Sequence, residues 1–454
     1  MKKKIFLLLL LIPFKVYATD AVNISSSSKY TYDGSIITKL SDNNHKSYIT
    51  IEANKNLVIN SETPIKHIYI MYELSPKNGV LTTDNENKTL GSDGFLHEYV
   101  NLDKASNAIT LKYNEDAKIS EIKVYGDGDL PKEVQIWKRE TTTDLMIFST
   151  HADDEQLFFA GVMPTYVNQG KKVHVTYLAR HDIGSYYSPD RMHEQLDGLW
   201  ALGVTDYPTF GLIPDAYSES LNAAESQASN AGFSRDDIIK FDVIEIRKYK
   251  PKVILAHDIE GEYGHGQHRL NTSTLMEAIE KVSNPEYVTE GYDAYTVPKM
   301  YIHLYDLENK TVLDYDKPLE KFDGKTAYEI SKEGYSKHLS QQYTWFTDWL
   351  NGKNNSYTSA TQITKYNPAY WGLYKTEVGP DINKNDLFEN IVEEKEDTNE
   401  EVVPKKEIIK KKEVKKNMWE VLFDDYLIET VLFFTCVILI CIAHVSKKRK
   451  NKKR

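Results

Sequence analysis

The stretch Ser149-Thr-His-Ala-Asp-Asp-Glu155, STHADDE, directly follows the apolar run Asp144-Leu-Met-Ile-Phe148, DLMIF. The run reads as a buried strand, short and apolar, and the seven residues after it carry one imidazole and three carboxylates. In open α/β sheets the chemistry collects at the carboxyl ends of the strands, where this cluster sits. Taken alone, HxDDE is equally well a solvated helix start with a capping histidine. A second cluster tips the balance. His257-Asp-Ile-Glu-Gly-Glu-Tyr-Gly-His265-Gly-Gln-His268 follows the apolar run VILA in the same manner. Neighbouring strands would aim both clusters into one crevice, and His, Asp and His with an open fourth position suit a catalytic zinc. A helix beginning near His265 would put His268 one turn further on. His174, His181, His193 and His257 read as ordinary polar or packed residues with no metal role.

Around these clusters, strand and helix patterns alternate from Thr143. DLMIFS, KKVHVTYLAR, PKVILAHD and KMYIHLYDL read as strands. PDRMHEQLDGLWALGV, DDIIKFDVIEIRKYK and EISKEGYSKHLSQQYTWFTDWL read as helices, the last a long amphipathic one. Such alternation predicts an α/β fold, a Rossmann-like, mostly parallel sheet flanked by helices, over residues 138–391. Residues 21–137 differ. Short period-2 runs (SYITIEA, HIYIMYEL, AITLKYN, ISEIKVYG) separated by SPKNG and GSDG predict an all-β sandwich domain.

The ends carry targeting patterns. MKKKIFLLLLLIPFKVYATD has the layout of a signal peptide over residues 1–18. YLIETVLFFTCVILICIAHV, 426–445, has the length and apolarity of a single C-terminal transmembrane helix, and the basic tail 446–454 marks its cytoplasmic side. Residues 392–425 form a charge-block stalk. The expected localisation is an exported chain anchored in the membrane with its catalytic domain outside, in keeping with a bacterial cell surface. Both cysteines, Cys436 and Cys441, fall within the expected span, so the rest has neither disulfides nor thiolate ligands. The formal charge is −11; removing the seven positive charges of the tail and four of the signal region leaves −22 on the remainder. So acidic a body argues against nucleic acid as a partner.

HADDE, EYGHGQH and KHLSQQ together resemble the zinc-dependent de-N-acetylases of the PIG-L/LmbE type, as do DRMHEQLDGLWALG and WGLYKTEVGPD. The resemblance covers about residues 137–391. It implies that His151, Asp154 and His268 bind Zn2+, although His and carboxylate ligands also suit other divalent metals. It implies Asp153 as the general base that activates water, and His265 as the group that stabilises the oxyanion or protonates the leaving amine. Tyr263 and Arg191 are candidates to touch substrate or else to pack and pair, and His338 lines the pocket or lies on a helix surface. Ala152 replaces the family's usual proline, and Gln267 stands where an aspartate often orients the second histidine. The N-terminal region resembles discoidin-like, galactose-binding-like modules. The implied activity is removal of N-acetyl groups from sugars of an envelope or extracellular glycan. A zinc amidase on another amide, and a surface glycan-binding protein without catalysis, are the alternatives.

Overall fold

The computed structural model describes residues 20–392. The all-β region is a single eight-stranded antiparallel sheet rather than two separate ones, because two long strands run through both halves. These are β1 (Asn56–Tyr72) and β2 (His97–Tyr113), paired with one another along their length. Register shifts between Asn60 and His67 divide β1. Its first part pairs with Lys29–Tyr32 and its second with β3 (Ala117–Tyr125). Alternate side chains from both halves, Leu57, Ile59, Ile68, Ile70, Leu111, Ile119 and Ile122 among them, share one core.

The second sheet runs β5 (Val173–Tyr177), β4 (Leu145–Ser149), β6 (Val253–Ala256), β7 (Lys299–His303), β8 (Tyr370–Thr376) in space. The first four are parallel; β8 returns antiparallel to β7. The two sides of β4 pack differently. Leu145 and Ile147 join Leu196 and Leu199 of α2 (Asp190–Ala201), whereas Met146 and Phe148 join Ile239 and Val243 of α3 (Arg235–Tyr249) and Leu275 of α4 (Gly266–Val282). A strand covered on both faces must be apolar throughout, which is why DLMIF shows no alternation. Because β4 was entered first and its neighbours β5 and β6 lie on opposite sides, the chain reverses direction across it. This is the switch point where a crevice opens beyond the strand ends.

Two further expectations are corrected. The helix read over EISKEGYSKHLSQQYTWFTDWL is broken into α5 (Ala327–Tyr335), a 3-10 turn Leu339–Gln341, and α6 (Trp345–Asn351). Glu194 on α2 explains the break: it accepts from both the Ser340 N–H (2.8 Å) and the Ser340 hydroxyl (2.5 Å), drawing that amide away from a helical carbonyl. The expected transmembrane helix is likewise not found among the described residues. The longest described helix, α4, has 17 residues and carries Gln, Arg, Asn, Glu and Lys, against about 20 mostly apolar residues needed for a span. Among the described residues no helix is long and apolar enough to cross a membrane, so the membrane-anchored localisation that rested on one is withdrawn. The segment 426–445 itself, with the signal peptide over 1–18, the stalk from 393 and the tail 446–454, lies outside the described residues.

Helix α4 is fastened to the strand ends it serves. The buried Asn271 amide donates to Ser149 O (3.0 Å) and Thr150 Oγ1 (2.9 Å), and the Thr272 hydroxyl donates to His257 O (2.9 Å). Asn271→Ala would strand these acceptors and is expected to cost about 1–3 kcal/mol. A shifted urea midpoint at unchanged slope measures this; an unshifted midpoint refutes it.

Candidate active site

Beyond β4 the chain turns abruptly into the short helix α1 (Asp154–Leu157). Asp153 takes the left-handed side of backbone space, φ 102°, where a side chain is uncommon. Four contacts hold the turn. The Asp153 N–H donates to Glu155 Oε2 (3.0 Å), and the His151 N–H to Asp154 Oδ2 (2.7 Å). Arg191 Nη2 donates to Ala152 O (2.5 Å) while Nη1 donates to Asp215 Oδ2 (2.9 Å). The Ala152 N–H donates to His181 Nε2 (3.2 Å). A proline at 152 would have no such hydrogen, so His181 serves the very donor that the departure from the family introduces.

His151, Asp154 and His268 meet at one buried point. Asp154 Oδ2 lies 3.0 Å from His151 Nδ1 and 3.1 Å from His268 Nε2, and the two nitrogens are 3.2 Å apart. Ligands about 2.0–2.1 Å from a tetrahedral zinc are spaced about 3.3 Å from each other, close to this triangle. The tautomers agree. The outer nitrogen of His151, Nε2, faces Gln267 Oε1 (2.8 Å), which can only accept; the outer nitrogen of His268, Nδ1, faces Glu262 Oε2 (2.8 Å). With its outer nitrogen so engaged, each neutral ring can turn a lone pair inward toward a cation. Gln267 is itself fixed, donating to Pro214 O (3.0 Å) and accepting from Ala216 N (3.2 Å). Burial works against an ionised Asp154, but the His268 and His151 rings hold its carboxyl well below the usual range. The residues present thus fit a divalent cation.

Asp153 points elsewhere, as adjacent side chains on such a turn must. It lines a cavity of about 270 Å³ with His151, Arg191, Asp215, Tyr263 and His265, walled further by Tyr186, Tyr217, Gln341 and Phe346. Burial pushes its carboxyl up to about 7; the Arg191 guanidinium opposes this and the Asp154 charge adds to it. A group poised there can take and return a proton. His265 caps α4, its Nδ1 accepting from the Gln267 N–H (3.2 Å), which leaves Nε2 as the protonated nitrogen of the neutral ring. Burial, then the neighbouring His151, keeps that ring below its ordinary range.

The structure therefore gathers His151, Asp153, Asp154, His265, His268, Tyr263 and Arg191. It does not bring His338 to the cavity: that ring is fully buried behind the turn, 2.8 Å from Glu155 Oε1. Gln267 also departs from expectation, since its side chain orients His151 and not His265. His174 pairs with Asp206 (2.8 Å) and His193 with His97 (2.7 Å), remote from these ligands. His257 is different, its Nε2 buried without a partner and 3.8 Å from Asp154 Oδ2.

Sequence reasoning missed Glu262. Its fully buried carboxylate accepts from His257 Nδ1 (2.8 Å), His268 Nδ1 (2.8 Å), His303 Nδ1 (2.7 Å) and the Asp258 N–H (3.1 Å). Against the pull of burial, these rings hold it well below the usual carboxylate range. It stood beside Tyr263 in the second cluster, but its partner His303 is 41 residues away, so spacing gave no sign of it.

Residues 146–279 match the family model described as PIG-L, GlcNAc-PI de-N-acetylase. The chain carries a PIG-L-family domain. Over 271 residues it is 22% identical to 1D-myo-inositol 2-acetamido-2-deoxy-alpha-D-glucopyranoside deacetylase 2 of Saccharopolyspora erythraea, covering 54% of this chain and 98% of that relative. It is 28% identical over 178 residues to the corresponding deacetylase of Streptomyces griseus subsp. griseus, covering 35% and 54%. Among solved structures, the N,N'-diacetylchitobiose deacetylase of Pyrococcus horikoshii is similar at a TM-score of 0.38 and 14% identity, over 53% of this chain and 88% of that one.

Glu262→Gln would set an amide hydrogen against a ring N–H and leave buried donors unpaired. A loss of about 3–5 kcal/mol is expected from breaking such a buried network. Denaturant unfolding measures it, and stability within 1 kcal/mol of the parent, roughly the worth of one ordinary hydrogen bond, contradicts it.

Proposed function

We propose that the PIG-L domain is a zinc-dependent N-deacetylase that hydrolyses the acetamide of N-acetylglucosamine units in a glycan. The observation that carries this reading is the convergence of His151 Nδ1, Asp154 Oδ2 and His268 Nε2 beside a separately directed Asp153. The relatives' names support the sugar class, each being the deacetylase of a 2-acetamido-2-deoxy-glucopyranoside.

When bound by His151, Asp154 and His268, zinc supplies Lewis acidity and lowers the pKa of water to about 7. Asp153 takes the proton of the attacking water at its carboxylate and later gives one to the departing amine, which leaves badly unless protonated. His265 Nε2–H donates to the oxygen that gains charge as the carbonyl is attacked. Arg191, engaged with Ala152 O and Asp215, holds the turn that aims Asp153. Tyr263 and Phe346 form an apolar wall that limits water around the acetamide. On the same reading the N-terminal sheet is an accessory, galactose-binding-like module.

Metal content and acetate release from N-acetylglucosamine oligomers test the assignment. The parent should hold one zinc per chain. Asp153→Asn should keep the metal and lose about 10²–10⁴-fold in kcat, the usual worth of a general acid–base group. Asp154→Ala should lose the metal. Asp153→Asn with near-parental activity, or no acetate from any oligomer, would sink the reading.

A further inference from the structure

Seven aromatic side chains are exposed among the described residues: Tyr48, Tyr186, Tyr187, Tyr217, Tyr292, Tyr343 and Trp345. Single exposed apolar groups need no explanation, but their distribution here does. Tyr186 and Tyr217 line the cavity and Trp345 stands against its wall, while Tyr187 and Tyr343 adjoin them in the chain and Tyr48 lies in the N-terminal region. Tyr186 and Tyr217 are in its wall while 60% and 57% exposed. Tyr217 stands edge-on to His265, with ring centres 5.3 Å apart. Trp345, 51% exposed, lies 4.1 Å from Phe346 and 5.9 Å from Tyr263, both cavity residues. Tyr343, 98% exposed, falls between Gln341 of the wall and Trp345.

The other flank reaches the all-β region. Tyr187 follows Tyr186, and its hydroxyl, raised mainly by burial, is raised further by Glu73 and Tyr48 and lowered by Lys118. Lys118 in turn sits 4.8 Å over the Tyr48 ring. Lys46 pairs with Asp190, the neighbour of Arg191, at 3.9 Å. Aromatic rings thus flank the mouth at α6 and recur where Lys46 and Asp190 join the N-terminal region to the start of α2.

Size limits what enters. About 270 Å³ is below the roughly 300–1,000 Å³ of pockets that enclose drug-sized ligands, so it admits a single sugar unit. Any further units must lie over the rim. A hexosamine ring presents an apolar C–H face and a polar edge, and flat aromatic rings with polar tips match both.

We propose that these rings form a track for a linear oligosaccharide of N-acetylated hexosamines, the reacting unit in the cavity and its neighbours stacked on Trp345 to one side and on Tyr186, Tyr187 and Tyr48 to the other. The track rests on the deacetylase reading and deepens it from a sugar to a chain. It also makes the N-terminal sheet part of the substrate surface.

The experiment compares acetate release from the β-1,4-linked N-acetylglucosamine disaccharide and hexamer, using the full chain and its Trp345→Ala, Tyr187→Ala and Tyr48→Ala variants. The parent is expected to favour the hexamer at least tenfold in kcat/KM, and each variant to lower that ratio threefold or more, chiefly through KM. Equal kcat/KM on the two substrates, or a ratio unchanged in all three variants, overturns the track. Tyr187→Ala and Tyr48→Ala remove exposed rings, so the result does not hang on the folding of Trp345→Ala. Calorimetric titration of the hexamer separates this inference from the reaction itself. Hexamer binding weakened by the variants, with no acetate released, upholds the track while the deacetylase reading fails; binding equal in parent and variants overturns the track.

Discussion

Three lone pairs directed at one buried point are the constraint on which the catalytic half depends. His151 and Asp154 come from the turn after β4 and His268 from α4, and hydrogen-bond partners hold both rings in place. Gln267 takes the outer proton of His151, Glu262 that of His268, and Asn271 and Thr272 bind α4 to the strands. Without those partners an imidazole could turn its protonated nitrogen inward and the cluster would be an internal hydrogen-bond network instead. Burial makes the arrangement demanding, because an unpaired charge there has no water to fall back on.

That demand explains Glu262. A carboxylate with no exposure is stable only if surrounded by donors, and four converge on it, two from the loop after β6 and one each from β7 and α4. The same group thus ties the strand ends together and fixes the His268 ring, so the stability of the core and the geometry of the site cannot be varied separately.

The parts of this architecture legible in the sequence were those that act through neighbours in the chain. DLMIF and VILA announced buried strands, and the ligand types after each announced a crevice. Asp153 and Asp154 could be given different directions because they are adjacent. What escaped depends on contacts across long separations. Glu194, 146 residues from Ser340, breaks a helix whose periodicity looked continuous. His338 read as a surface or pocket residue, and only the fold reveals Glu155 behind it. Likewise the two 17-residue strands merge the expected sandwich into one sheet, an outcome of register that alternation alone does not encode.

Ala152 and His181 show how far such dependence reaches. They lie 29 residues apart, on turns after adjacent strands, yet each accounts for the other: the alanine offers an amide hydrogen and the imidazole receives it. Restoring the family's proline would leave His181 Nε2 facing an empty bond, and changing His181 alone would strand a buried N–H. The two positions are therefore epistatic. A proline at 152 would cost this turn its bond to His181 unless that position changed too, and the oddity in STHADDE is one half of a pair written in two places.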